Sequence, residues 1–174
     1  MFKSVVLATD GSEHAMRAVT EAADLAVATG ARLTLVTVLA KSMTLEDLEA
    51  APLATRLPRE TKAELKRIHE IMASASTERD LHPWVPVLPA VRNALGKVIL
   101  DEAEKVATRR KVAKVARVIA EGDPAAEILK AADKAKADVI VMGTRGMSEI
   151  GSLVLGSVSH KVLHHAKCSC LTVK

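Results

Sequence analysis

Short, fully apolar runs alternate along this chain with stretches of helical spacing, and that alternation predicts its elements. "KSVVLAT" (3–9) is a β-branched run that reads as a buried strand. Over 13–29, Ala15, Ala18, Val19, Ala22, Leu25, Ala26 and Thr29 fall on one helical face, and Gly30 stops the helix. "ARLTLVTVLA" (31–40) is a second strand. From about 94 to 110, Leu95, Val98, Ile99 and Val106 mark another amphipathic helix, and "KVARVIAEG" (114–122) a third strand. Asp123 is placed to cap a helix that opens on Pro124 and runs to about Lys136, with Ile128, Leu129 and Ala132 inward. "ADVIVMG" (137–143), a helix over 152–165 and "CSCLTVK" (168–174) complete the series.

Strand and helix at these spacings predict an α/β layer fold, with an open, mostly parallel sheet and right-handed crossovers. Ligands of such sheets bind just outside the carboxyl ends of the strands. The first strand ends at "ATDGS" and the fourth at "MGTRG", so chemistry is sought there.

Residues 41–93 interrupt the rhythm and are too long for an ordinary loop. "TLEDLEAA" (44–51) predicts a short helix with Thr44 as cap and Asp47 as the capping-box acid. "PRETKAELKRIHEIMASA" (58–75) predicts a longer one with Leu65, Ile68, Ile71 and Met72 inward. "LHPWVPVLP" (81–89), with three prolines, is expected to be extended. The segment has too little apolar content for a core of its own. It is expected to be an insertion packed on a single domain spanning 1–174, as a lid or a partner surface.

Composition narrows the function. The 174 residues are 49% apolar and 26% charged, as in ordinary globular proteins. Phe2 and Trp84 are the only aromatics, which argues against single-stranded nucleic acid, whose bases stack on aromatic rings. A net charge of +4 does not by itself call for a polyanionic partner. No apolar run approaches the roughly 20 residues that span a bilayer, so no membrane role is expected. The opening "MFKSVVLATDGSE" does not resemble a secretory leader, and the cytoplasm is the expected compartment. Cys168 and Cys170 sit too close together in a strand to suggest a framework disulfide.

Four of the eight glycines, Gly143, Gly146, Gly151 and Gly156, cluster after the fourth strand. A phosphate needs several backbone N–H groups and no obstructing side chain, and a following helix N-terminus adds favourable charge. Spacing alone leaves two readings: a phosphate cradle, or glycines that permit tight turns and close helix packing. The lysine-bearing phosphate loop is absent.

This stretch resembles the universal stress protein family, matching its G-x2-G-x9-G-[S/T] motif at Gly143, Gly146, Gly156 and Ser157. "VVLATDGSEHAMRAV", "AEGDPAAEIL" and "ADVIVMGTRG" are similar to the same family, so the resemblance covers roughly 1–40 and 94–174. It implies a Rossmann-like five-stranded parallel sheet of order 3-2-1-4-5 with helices on both faces. It further implies a homodimer joined partly through the last strands, and ATP binding with Mg2+. By the same resemblance Ala8, Thr9 and Asp10 border ribose and adenine, with Asp10 also near the metal-bearing phosphates. Val38 and Met142 contact the base. Gly143, Arg145, Gly146, Gly156, Ser157, Val158 and Ser159 surround ribose and phosphates. Ser169 and Thr172 of "CSCLTV" depart from the family's usual last strand, "CPVLVV".

Each of these residues also has a plainer role. Asp10 can cap the first helix, although Ser12 can do so instead. Arg145 can project into solvent, and Ser157 and Ser159 can serve the last helix's first turn. "HKVLHHAKCSC" carries His160, His164 and two cysteines, but its spacings match no structural zinc pattern. "KVATRRKVAKVAR" (105–117) is expected to neutralise a helix end and guard an edge strand, with Lys114 and Arg117 in the second role. The expected function is a nucleotide-binding stress or signalling module. The alternatives are a slow ATP hydrolase, and a nucleotide-independent interaction protein working through the insertion.

Overall fold

The computed structural model describes residues 1–75, 87–146 and 155–174, with side chains described for all of these except 71–75. Five strands form one sheet: β1 (Ser4–Ala8), β2 (Arg32–Leu39), β3 (Val115–Glu121), β4 (Val139–Gly143) and β5 (Ser169–Val173). Their order is β3-β2-β1-β4-β5, and every pairing is parallel. Among the described residues six α-helices accompany them: α1 (Glu13–Thr29), α2 (Leu45–Ala50), α3 (Arg59–Ala75), α4 (Pro89–Arg109), α5 (Pro124–Ala135) and α6 (Ser157–His165). The architecture is the α/β fold expected from the alternation.

Strand alternation assigns the layers. Val5 and Leu7 of β1 pack with Leu33 and Leu35 of β2 under α1 and α4, in a cluster that takes in Ala18, Ala22, Leu100 and Ala103. Val6 and Ala8 point to the other face and pack with Val36, Ile140 and Met142 under α5 and α6. Both faces of β1 and β4 are buried, which explains their unbroken apolar runs. Each fully buried leucine or valine here contributes about 1.5–3 kcal/mol.

The caps follow the sequence. Ser12 accepts the Ala15 N–H at 3.4 Å, and Gly30 closes α1 in the left-handed region at φ +69°. Asp123 accepts the Ala126 N–H at 2.9 Å with Pro124 behind it. Thr44 and Asp47 form the expected capping box at the start of α2.

Two boundaries differ from expectation. α4 begins at Pro89, not near 94, because a proline at the first helical position needs no N–H donor and Val91 and Arg92 are buried in its first turn. The last helix is described from Ser157; residues 147–154, with Gly151, lie outside the described residues, as do 76–86 with Trp84 and most of the proline segment.

The segment after β2 shares its core with the domain. Met43, Leu45, Leu48 and Leu57 bury against Val91, Leu95 and Ile99 of α4 and Leu39 of β2, and Leu65 and Ile68 of α3 pack on the same cluster. Val87 donates its N–H to the Met43 carbonyl at 3.0 Å. Arg92, only 6% exposed, donates to the Val87 carbonyl at 2.5 Å and pairs with Glu121 at 3.4 Å. α2 is thereby fixed over the carboxyl end of the sheet.

At the sheet edges, Arg117 of β3 pairs with Asp101 at 2.7 Å and Glu104 at 3.0 Å. On β5, Leu171 is 39% exposed. No described helix is long and apolar enough to cross a membrane.

Candidate functional site

At the carboxyl ends of β1, β2 and β4 lies a cavity of about 420 Å³. All twelve residues singled out in the sequence line it: Ala8, Thr9, Asp10, Val38, Met142, Gly143, Arg145, Gly146, Gly156, Ser157, Val158 and Ser159. They come from three separate parts of the chain, and β1 brings them together by pairing with β4, Ala8 opposite Met142, on one side and with β2, which carries Val38, on the other.

The turn after β1 is shaped by its own side chains. The Gly11 N–H donates to Thr9 Oγ1 at 3.2 Å, and the Ser12 N–H donates to Asp10 Oδ1 at 3.0 Å. Gly11 has φ +81°, which favours glycine. Because Ser12 caps α1, Asp10 is released from that task and lines the cavity.

The glycine turn serves both roles weighed from the sequence. A Cβ at Gly143 would stand 2.9 Å from the Ala15 nitrogen and the His14 carbonyl carbon, and 3.0 Å from the Arg145 oxygen. That glycine lets β4 and α1 approach backbone to backbone. A Cβ at Gly146 would instead stand 2.6 Å from Asp10 Oδ2, so the missing side chain there makes room for a carboxylate.

Gly156 occupies the N-cap of α6 and offers no side chain to the helix's first N–H groups. Its own N–H donates to the Thr144 carbonyl at 2.8 Å, which ties the start of α6 to the end of β4. The first turn of α6, Ser157 to Ser159, thus lines the cavity and brings the helix's partial positive charge to it. Ser159 is buried, and its hydroxyl lies 3.0 Å from the Gly143 carbonyl and 3.1 Å from the Thr144 carbonyl. Its one proton is thus committed to the turn, and Ser159 shapes the cavity from behind. Ser157 is exposed at the helix start.

The remaining walls were not anticipated. Val36 precedes Val38 by two residues on the same face of β2, a signal the strand period carried, and Ala40 lines the cavity just past the strand's end. Pro124 and Ile128, four residues apart, come from the first two turns of α5. Met43, Glu46, Asp47 and Ala50 come from α2 and the residue before its cap, and no sequence pattern pointed them at this place. Among the described residues the charged lining is three carboxylates, Asp10, Glu46 and Asp47, and one guanidinium, that of half-buried Arg145.

Elsewhere the candidate groups are quieter. Among the described residues no group of three or more His, Cys, Asp or Glu is arranged to hold a metal ion. The rings of His164 and His165 meet edge to face at 4.9 Å. Burial pushes the Cys168 thiol up, aided by the nearby Asp133 charge, and burial likewise raises Cys170. Both act as partly buried apolar residues against the α5–α6 layer.

The sequence model of the Universal stress protein family matches residues 1–174. A universal stress protein of Thermus aquaticus is 35% identical over 174 residues, which cover all of both chains. Among solved structures, a universal stress protein in complex with cAMP is 26% identical with a TM-score of 0.63, covering 99% of this chain and 97% of that one. A universal stress protein from Archaeoglobus fulgidus, 20% identical with a TM-score of 0.62 over the whole of both chains, shares the fold.

Proposed function

The chain belongs to the universal stress protein family, and from that premise we propose that its cavity binds ATP accompanied by Mg2+, as the ligand of a stress-response or signalling module. One observation carries this reading: the motif residues of β1, β4 and α6 surround a single cavity with backbone donors at one end and apolar walls at the other. Its volume of about 420 Å³ lies in the range of small-molecule sites. That a related protein is known in complex with cAMP supports a nucleotide as the class of ligand.

The residues divide the work by their chemistry. Gly143 and Gly146 keep side chains out of the turn, and the start of α6 supplies N–H donors and partial positive charge for phosphate oxygens. Arg145 adds a planar cation suited to the same oxygens. Val38 and Met142 give the base apolar contacts. Among the described lining residues three carboxylates outnumber one guanidinium, a poor home for a bare polyphosphate, so a divalent cation travelling with the phosphates would balance the site. Asp10, with Oδ2 turned to Gly146, is the carboxylate for that cation's surroundings. The ion would supply charge neutralisation; Asp10, Arg145 and the turn would orient the nucleotide.

The insertion belongs to this site through α2, which links a bound nucleotide to an outer surface that a partner could read. The exposed face of β5, with Leu171 outward, suits the homodimer that the family resemblance implies. We place this activity in the cytoplasm.

The test is a calorimetric titration of nucleotide-stripped protein with ATP and Mg2+. Saturable one-site binding, abolished by Gly156→Leu in a folded variant, is the expected result. A folded wild-type protein that takes up no nucleotide would leave the glycines as packing devices.

A further inference from the structure

Charge is sorted between the two ends of the sheet. At the carboxyl ends of the strands, Asp10, Glu46 and Asp47 line the cavity beside Arg145, and Asp123 caps the neighbouring α5. The amino ends are basic. Lys3 precedes β1, Arg32 opens β2 and Lys114 precedes β3, and all three are exposed. Backbone bonds set them side by side: the Arg32 N–H donates to the Lys3 carbonyl at 3.1 Å, and the Leu33 N–H to the Lys114 carbonyl at 2.9 Å. The helices that feed the strands finish at this same end. α4 delivers exposed Arg109, Arg110 and Lys111 there, α5 delivers Lys134 and Lys136, and Lys167 precedes β5.

Few of these cations are neutralised. Arg110 pairs with Asp24 at 2.9 Å and Lys167 with Asp133 at 3.3 Å. Asp138 spends its carboxylate on the backbone N–H groups of Lys3 and Ser4. Arg32 lays its guanidinium over Ser4 Oγ, 3.1 Å away, and the Ala135 carbonyl, which holds its charge at the strand starts. Lys3, Lys111, Lys114, Lys134 and Lys136 make no ion pair among the described residues. Local roles do not account for the whole set. Cations do offset the negative end of a helix, but Lys3 and Arg32 begin strands. β1 and β2 lie inside the sheet, where no edge needs guarding.

We propose that this end of the molecule docks on a bilayer surface rich in anionic lipids. Two features favour a leaflet over a nucleic acid duplex. The helix-to-strand connections here run from two residues between α1 and β2 to five between α4 and β3, too short to form an element that enters a groove. Apolar side chains also stand among the cations: Met1 is 95% exposed, Val27 in the last turn of α1 48%, and Leu163 in the last turn of α6 40%. The boundary between headgroups and acyl chains accepts both kinds of side chain together. Such contact needs no spanning segment, in keeping with the described helices. The cavity lies at the opposite end of the strands, so a docked molecule presents it away from the membrane.

The test is flotation with phosphatidylcholine vesicles, with and without about one third phosphatidylglycerol, at low and at raised salt. Wild type is expected to float with the anionic vesicles alone and to release as salt screens the charges. The triple variant Lys3→Gln, Lys114→Gln, Lys134→Gln removes three exposed cations from the docking end and should weaken binding about tenfold or more. The triple variant Lys41→Gln, Lys62→Gln, Lys66→Gln removes the same charge from exposed sites on the insertion and should bind within about twofold of wild type. Both triples should unfold close to the wild-type midpoint, because every side chain replaced is exposed. Wild type that ignores anionic vesicles at low salt would overturn the proposal. Equal losses in the two triples would also overturn it, by reducing the effect to net charge. So would a DNA duplex that binds more tightly than the vesicles at the same ionic strength, which would make the end a nucleic acid surface.

Discussion

Gly146 and Asp10 occupy one another's space: the Cβ that position 146 lacks would stand 2.6 Å from Asp10 Oδ2. The obstruction is the far end of one side chain, and position 146 is exposed, so Gly146→Ala should fold normally. The carboxylate must move, and with it a group proposed to orient the nucleotide. Calorimetry should show about tenfold weaker ATP binding, since small displacements in a site cost affinity steeply. Thermal unfolding should show a midpoint close to that of wild type. Unchanged affinity would remove Asp10 from the site.

Gly143 gives the opposite outcome. Its Cβ would meet the backbone of His14 and Ala15, which no rotamer change relieves. Gly143→Ala should therefore lose about 1–3 kcal/mol of stability, the usual cost of overpacking. Denaturant unfolding of the two alanine variants side by side separates a packing glycine from a site glycine.

Ser159 joins α6 to the end of β4 through the Gly143 and Thr144 carbonyls. Ser159→Ala leaves buried acceptors without that donor and should cost about 1–2 kcal/mol. Hydrogen exchange should rise first in α6. Wild-type protection there would mean that the serine is dispensable to the turn.

Asp138 makes the start of β4 sensitive to acid. It accepts the Lys3 N–H at 2.6 Å and the Ser4 N–H at 2.9 Å, and these bonds hold its carboxyl below the ordinary value of 3.8. A carboxyl lowered in the folded state favours folding while it is ionised. Its contribution is complete above the unfolded value and fades as pH falls through the folded one. Asp138→Asn should thus be less stable than wild type at pH 7, with the two unfolding curves converging in strong acid. A gap that persists there would show that charge is not the cause.

The caps show how much of the fold was legible locally. Thr44 with Asp47, Asp123 with Pro124, and Gly30 after α1 all act where the sequence placed them, because capping involves residues three or four apart. The start of α4 was missed because Val91 and Arg92 gain their burial from the α2 segment and from Glu121, far away in sequence.

The sequence by itself determined the alternation of elements, the α/β class and the place of the glycine turn. Side-chain period and local hydrogen bonding fix these within short windows. Tertiary structure alone decided that Gly143 serves packing and Gly146 a carboxylate, that the Ser159 hydroxyl faces the turn, and that Glu46 and Asp47 wall the cavity. Each of those outcomes depends on which distant backbone or side chain arrives within a few ångströms, and only the packing of α1, α2 and α6 over the strand ends sets that.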